Sequence, residues 1–268
     1  MSKQLYTLPP GSKFRLKDFD PDWTGKYKDK GEAKPQMQKN LERLNELQDM
    51  LYAQNKRGLL IVLQGMDTAG KDGVIKVVAG AFNPQGVQVT SFKVPTEEEY
   101  AHDFLWRVHK AAPGRRMVGI FNRSHYEDVL AARVLKIVPE KVWSKRYDQI
   151  NQFEELLAGS GLAIVKLYLH ISKEEQAERF RERQQTPSKQ WKFSPGDLET
   201  RKLWDDYVAA FEDALTRCNT EYAPWYVIPA NRNWARNVAI SDILVETMEK
   251  MDLRYPDPVP NIDSYVIE

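Results

Sequence analysis

The chain has 268 residues, a formal charge of +1, 42% hydrophobic and 29% charged residues. That length suits one large domain with a substantial core, and the near-neutral charge argues against a surface built for bulk nucleic-acid binding. No apolar run approaches the roughly 18 residues of a membrane span, and Cys218, the single cysteine, excludes an internal disulfide framework and a multi-cysteine zinc site.

Residues 1–35 are rich in Pro, Asp, Lys and Gly and carry no secretory pattern. They read as an irregular arm lying on the core or on a neighbouring subunit, and the expected compartment is the cytoplasm. From Pro35, Leu41, Leu44, Leu47 and Leu51 recur at spacings of three and four before Gly58, which predicts an amphipathic helix. The wholly apolar Leu59–Leu63 predicts a strand covered on both faces. It runs into GMDTAGKD, Gly65 to Asp72, followed by a predicted helix to about Phe82 and a strand at 87–92. Thr96 and Glu99 have capping-box spacing ahead of a single predicted helix, EEEYAHDFLWRVHKA.

A third strand is predicted at Met117–Phe121, a helix at 139–159, and a fourth strand at Ala163–Ile171. Ser172 and Glu175 repeat the capping-box spacing before EEQAERFRERQQ. TPSKQWKFSPGD reads as a loop, LETRKLWDDYVAAFEDALTRC as a helix, WYVI at 225–228 as a fifth strand, and 234–251 as the last helix. Residues 256–268 form a proline-rich surface tail. Five apolar strands alternating with helices predict an α/β body over 36–255, with a mainly parallel sheet between helical layers.

Gly65 and Gly70-Lys71 fit the spacing GxxxxGK between a strand and a helix, the context a phosphate-binding loop requires. Backbone amides of Gly65, Met66, Thr68, Ala69 and Gly70, with the following helix N-terminus, suit phosphate oxygens, and Lys71 would grip the bridging and transferred ones. Asp72 closes this phosphate-binding segment where the usual motif has a hydroxyl. Asp67 is the candidate magnesium ligand, and Asp72 reads mainly as a first-turn acid favoured by the helix dipole.

At the end of the third strand, Asn122 and Arg123 occupy the place where ligands collect in parallel sheets, and a guanidinium fork suits phosphate. Glu127 and Asp128 follow as further carboxylates, with Asp128 a second candidate metal ligand. His125 reads as a hydrogen-bonded packing residue and Cys218 as a buried structural thiol. Arg179 and Arg183 share a helix face in a basic segment with Lys189 and Lys192, placed where a lid would close over phosphate. Arg181 reads as solvated, and Trp191 as core or lid packing rather than a base-stacking platform.

GMDTAGKDG at 65–73, FNRSHYEDVL at 121–130, ISKEEQAERFRER from 171 and QWKFSPGD at 190–197 together resemble the polyphosphate kinase type 2 family. EYAPWYVIPANRNWARN at 221–237 extends the likeness to the last strand. The resemblance implies a P-loop kinase fold related to thymidylate kinases, with a five-stranded mainly parallel sheet and a helical lid at about 178–200. It implies phosphoryl transfer between inorganic polyphosphate and nucleotides with magnesium, manganese being a substitute, in a homo-oligomer, either a tetramer or a dimer. By position, Asp67 and Lys71 become the loop's functional pair, Asn122 and Arg123 the strand-end pair, and Arg183 a lid arginine with Arg179 beside it.

Glu127-Asp128 looks like the subclass that phosphorylates both nucleoside mono- and diphosphates, making AMP and ADP acceptors and ATP a product. Members with Asp in place of Asn122 have a strand-tip acid; here that role shifts to Asp67 and Asp128. The acceptor is already anionic, so catalysis would rest on positioning and charge neutralisation rather than a general base. An ATP-dependent nucleoside monophosphate kinase of the same fold is the alternative. A GTPase would need an Asn-Lys-x-Asp motif after a late strand, which the sequence lacks, and a polyanion-binding module would bind without turnover. Neither nucleic acid nor a membrane is an expected partner.

Overall fold

The computed structural model describes residues 6–267; the first five residues of the expected arm and Glu268 lie outside them. In chain order the elements are α1 (Lys30–Gln54), β1 (Gly58–Gly65), α2 (Lys71–Ala79), β2 (Val87–Ser91), α3 (Glu97–Tyr100), α4 (Trp106–Ala111), β3 (Val118–Asn122) and α5 (Ala131–Val134). They continue with α6 (Glu140–Gly159), β4 (Leu162–His170), α7 (Lys173–Gln185), α8 (Pro195–Lys202), α9 (Trp204–Arg217), β5 (Trp225–Pro229) and α10 (Asn233–Glu249).

All strand pairs are parallel, in the order β2-β3-β1-β4-β5. Central β1 is buried from Gly58 to Gln64, whereas edge strand β2 is largely solvated, as their all-apolar and mixed sequences dictate. After β1 the chain first builds β2 and β3 on one side, then crosses to β4 and β5 on the other. The end of β1 is therefore a topological switch point, where parallel sheets open a crevice for ligands. Register brings Leu63 opposite Asn122, and Gly65 opposite Leu169, so the loop, Asn122 and α7 converge at one edge.

The arm packs on its own chain. Phe14, Leu16 and Phe19 are buried in the core, and the carbonyl of Tyr6 accepts from the amide of Val227 (2.6 Å). Several boundaries differ from the sequence reading, and some of these have a plain local cause. Helix α1 starts at Lys30 rather than Pro35 because Asp29 caps it, accepting from the amides of Gly31 and Glu32. The helix expected over EEEYAHDFLWRVHKA is split, since Asp103 Oδ1 takes the amide of Leu105 (2.9 Å) and offers the backbone a turn instead. Pro195 starts α8 inside the expected loop, its fixed φ suiting a first helical position, and the following helical stretch breaks at Leu203.

A buried ionic network ties β4 to the segment after β3. Lys166 Nζ lies 2.5 Å from Glu154 Oε2 and donates to Tyr126 Oη (2.8 Å) and to the carbonyl of Cys218 (2.6 Å). Tyr126 donates to Glu154 Oε1 (2.9 Å), and His125 Nε2 sits 3.1 Å from the same oxygen. Burial alone would raise the Glu154 carboxyl, but Lys166 and His125 outweigh it and hold the group below its ordinary value. His125 is thus a packing residue in this network, and Cys218 is buried with its thiol pushed up to about 12 by that burial.

Candidate active site

The loop between β1 and α2 adopts the conformation its glycines permit. Gly70 has φ +97° at the N-cap of α2, a left-handed geometry that costs glycine nothing, and Thr68 joins it at φ +65°. First-turn amides of α2 have no intrahelical acceptor and carry the positive end of the helix dipole. Lys71 Nζ folds back over the loop, donating to the carbonyls of Gly65 (2.8 Å) and Met66 (3.3 Å). Burial, followed by the nearby charge of Arg123, pulls its ammonium down to about 8. Of the loop amides expected to face phosphate, that of Ala69 is already spent on the carbonyl of Met66 (3.1 Å), while the hydroxyl of Thr68 is buried without a partner.

Opposite the loop, the end of β3 delivers Asn122 and Arg123. Arg123 takes a left-handed φ of +60° and donates its amide to the carbonyl of Leu63 (3.0 Å), which turns its side chain back across the switch point. Its Nη2 donates to Asp67 Oδ1 (2.7 Å), and its Nη1 lies 3.5 Å from Glu127 Oε2. Glu127 in turn accepts from Gln64 (3.0 Å) in the amide orientation that also satisfies Ser124. Asp67, Lys71, Arg123 and Glu127 therefore form one charged cluster.

Asp72 has a place the sequence reading did not anticipate. Although it is a first-turn acid, it accepts from Asn122 Nδ2 (3.0 Å) and lies 3.5 Å from Lys192 Nζ, so it joins α2, β3 and the basic segment. Arg183 Nη1 donates to the carbonyl of Lys192 (3.2 Å) and lies 3.6 Å from Asp197 Oδ2. Burial, then the proximity of Asp67, raises the Asp197 carboxyl. Tyr207 is pushed up to about 12 by burial, then by Glu127 and Asp67.

Two expected site residues stand elsewhere. Asp128 is turned to Arg146, whose Nη1 reaches both its carboxylate and its carbonyl (each 3.0 Å), so it does not join the Asp67 cluster. Arg179 is consumed by the protein. Its donors reach Glu175 (2.7 Å) and the carbonyls of Thr68 (2.8 Å), Ala230 (2.6 Å) and Asn231 (2.9 Å), which makes it a brace for the loop rather than a lid cation. Trp191, expected to pack, is 78% exposed.

Sequence reasoning passed over Asp197, Tyr207, Gln176 and Arg236. Gln176 holds the Asp67 carbonyl (3.1 Å) from α7, and Arg236 reaches the Ala69 carbonyl from α10. Asp197 and Arg236 lie inside the quoted blocks QWKFSPGD and NRNWARN, where their ordinary residue types drew no role; nothing in the helical pattern singles out Tyr207.

Residues 27–256 match the family model described as polyphosphate kinase 2. The chain is 52% identical, over 98% of its length and 99% of the relative's, to an AMP/ADP-polyphosphate phosphotransferase of Meiothermus ruber. It is 43% identical to an ADP-polyphosphate phosphotransferase of Rhodopseudomonas palustris, covering 87% of this chain and 85% of that one. The crystal structure of polyphosphate kinase 2 from Arthrobacter aurescens superposes with a TM-score of 0.93 at 42% identity, covering 96% of this chain and 92% of the other.

Proposed function

Since the chain belongs to the polyphosphate kinase 2 family, we propose that it transfers phosphoryl groups between inorganic polyphosphate and AMP or ADP, yielding ADP and ATP. The observation that carries this reading is the cluster of Asp67, Lys71, Arg123 and Glu127 at the switch point, facing a basic segment that reaches it through Lys192. An oxygen of the acceptor's terminal phosphate attacks the end phosphorus of the chain. The new P–O bond forms as the bond to the shortened polyphosphate breaks, and the leaving oxygen keeps the electron pair. Lys71 and Arg123 hold the transferring group, and Arg183 closes on it from the lid, neutralising charge spread over the phosphoryl oxygens. The acceptor oxygen is anionic near neutral pH, so no side chain must remove a proton.

Magnesium, with manganese as a substitute, fits the donor set at Asp67, because magnesium binds through one or two carboxylates and substrate phosphates rather than an all-protein cage. When bound it would neutralise phosphate charge and bring the two phosphate groups into line. Asp128, held by Arg146, is not assigned a part in this.

The proposal includes action in the cytoplasm and assembly as a homo-oligomer, for which the exposed Leu135, Ile137 and Val142 offer apolar surface. Among the described residues no helix is long and apolar enough to cross a membrane. Phosphorus NMR of the protein with magnesium and polyphosphate, mixed separately with AMP and with ADP, tests the reading. Both ADP and ATP are expected from AMP. Turnover of AMP only when ATP is the donor would overturn it in favour of an ATP-dependent monophosphate kinase.

A further inference from the structure

Arg236 lies in the first turn of α10, is 2% exposed, and touches neutral groups alone. Its Nη1 donates to Asn233 Oδ1 (2.7 Å) and, at 3.4 Å, to the carbonyl of Ala69. Its Nε and Nη2 share Asn237 Oδ1 (3.1 and 2.9 Å). Among the described residues it forms no ion pair with a carboxylate. The guanidinium is wedged against the back of the phosphate loop, where a Cβ on Gly70 would meet Nη1 at 2.1 Å and one on Gly73 would meet Nη2 at 3.2 Å.

The nearest charged group is a second cation, Arg179, itself paired with Glu175. Arg179 braces the neighbouring Thr68 carbonyl, and the N-terminal ends of α2 and α10 both converge there. Burial and the charge of Arg179 together pull the guanidinium down to about 10. A buried charge without a counterion is costly, and such groups are retained in structures chiefly where they are paired or coordinate something.

We propose that Arg236 is an electrostatic positioning residue for the phosphate site, a buried cation whose counterion is the polyanion held on the opposite side of the loop. Loop carbonyls of Thr68 and Ala69 turn back to Arg179 and Arg236, while the first-turn amides of α2 turn forward. Binding of phosphate then relieves a charge that the ligand-free protein carries unpaired. This rests on the reading of residues 65–71 as the polyphosphate site.

The test uses the full chain, tripolyphosphate as the probe, thermal unfolding with and without it, and calorimetric titration at low and high salt. Arg236→Gln, which keeps amide donors but no charge, is expected to melt at or above the wild-type temperature without ligand. It is expected to bind tripolyphosphate about tenfold more weakly at low salt, with a shallower salt dependence. Arg236→Lys is expected to restore most of the affinity. A ligand-free melting temperature lowered by several degrees in Arg236→Gln, failure of that variant to fold, or unchanged affinity would each overturn the proposal by making Arg236 an ordinary packing residue. If the wild type is not stabilised by tripolyphosphate, the loop assignment itself fails, and the proposal with it.

Discussion

The phosphate loop and the basic segment proposed as a lid meet at the same crevice but are held in opposite ways. The loop is braced from behind by Gln176, Arg179 and Arg236, each bonded to a carbonyl between Asp67 and Ala69. The basic segment Pro187–Lys192 has no buried residue and reaches the loop side of the site through one long ion pair, 3.5 Å from Lys192 to Asp72. A donor array fixed before the substrate arrives stabilises charge without reorganising, whereas a cover must yield for polyphosphate to enter and product to leave. Two arginines four residues apart on α7 are accordingly held differently: Arg179 is bonded to the loop and to Ala230 and Asn231, whereas Arg183 is bonded to Lys192 and lies beside Asp197.

If the rigid half supplies the chemistry, Lys71→Ala should lower kcat/KM for transfer from polyphosphate to ADP by about 10³-fold, with an unfolding curve close to that of the parent. Glu154→Leu should cost about 3 kcal/mol in denaturant unfolding, because it strands Lys166 in the sheet without its partner. Its transfer rate should fall as well, since Tyr126 and His125 anchor the chain just beyond Arg123.

On the side of the basic segment, Asp72→Ala should lower kcat about tenfold with little change in melting temperature, because it removes the exposed contacts to Lys192 and Asn122 and not a core interaction. An unaltered kcat would mean that closure uses neither contact. A pH profile separates the halves again. Lys71, with its pKa depressed to about 8, loses its charge as pH rises through that value, so kcat/KM for polyphosphate should fall tenfold per unit above it. Stability should move the other way: between about 8 and the ordinary lysine value of 10.5 the unfolded chain binds more protons than the folded one, so this group's contribution to stability rises with pH. The smallest response is expected at Trp191, 78% exposed, where Trp191→Ala should change unfolding free energy by no more than about 0.5 kcal/mol.

The architecture was legible wherever periodicity and burial coincide. LLIVL forms a strand buried along its length, as its unbroken apolar run suggested, and the capping box at Thr96 and Glu99 is present as its spacing implied. Local side-chain bonding hid what remained. Asp103 and Asp29 overrule helical pattern and proline alike by bonding to nearby amides, an effect residue-by-residue periodicity does not register. Motif spacing singled out Asp67, Lys71, Asn122 and Arg123, and the fold brings them together because they lie at the ends of neighbouring parallel strands. Spacing did not show that Arg179 and Asp128 are bonded within the protein, because a side chain's partner comes from a distant element, Ala230 in one case and Arg146 in the other. Arg236 was silent for the same reason, being 167 residues from the carbonyl it supports.

Arg123 occupies a corner that glycine would turn without strain. A left-handed backbone costs an L-residue about 1–2 kcal/mol, yet the same position must present a guanidinium to Asp67 and Glu127. Durability and turnover therefore compete at a single residue. Arg123→Gly is the change that would ease the main chain and silence the enzyme together, and selection for a more heat-resistant protein should find that residue closed to it.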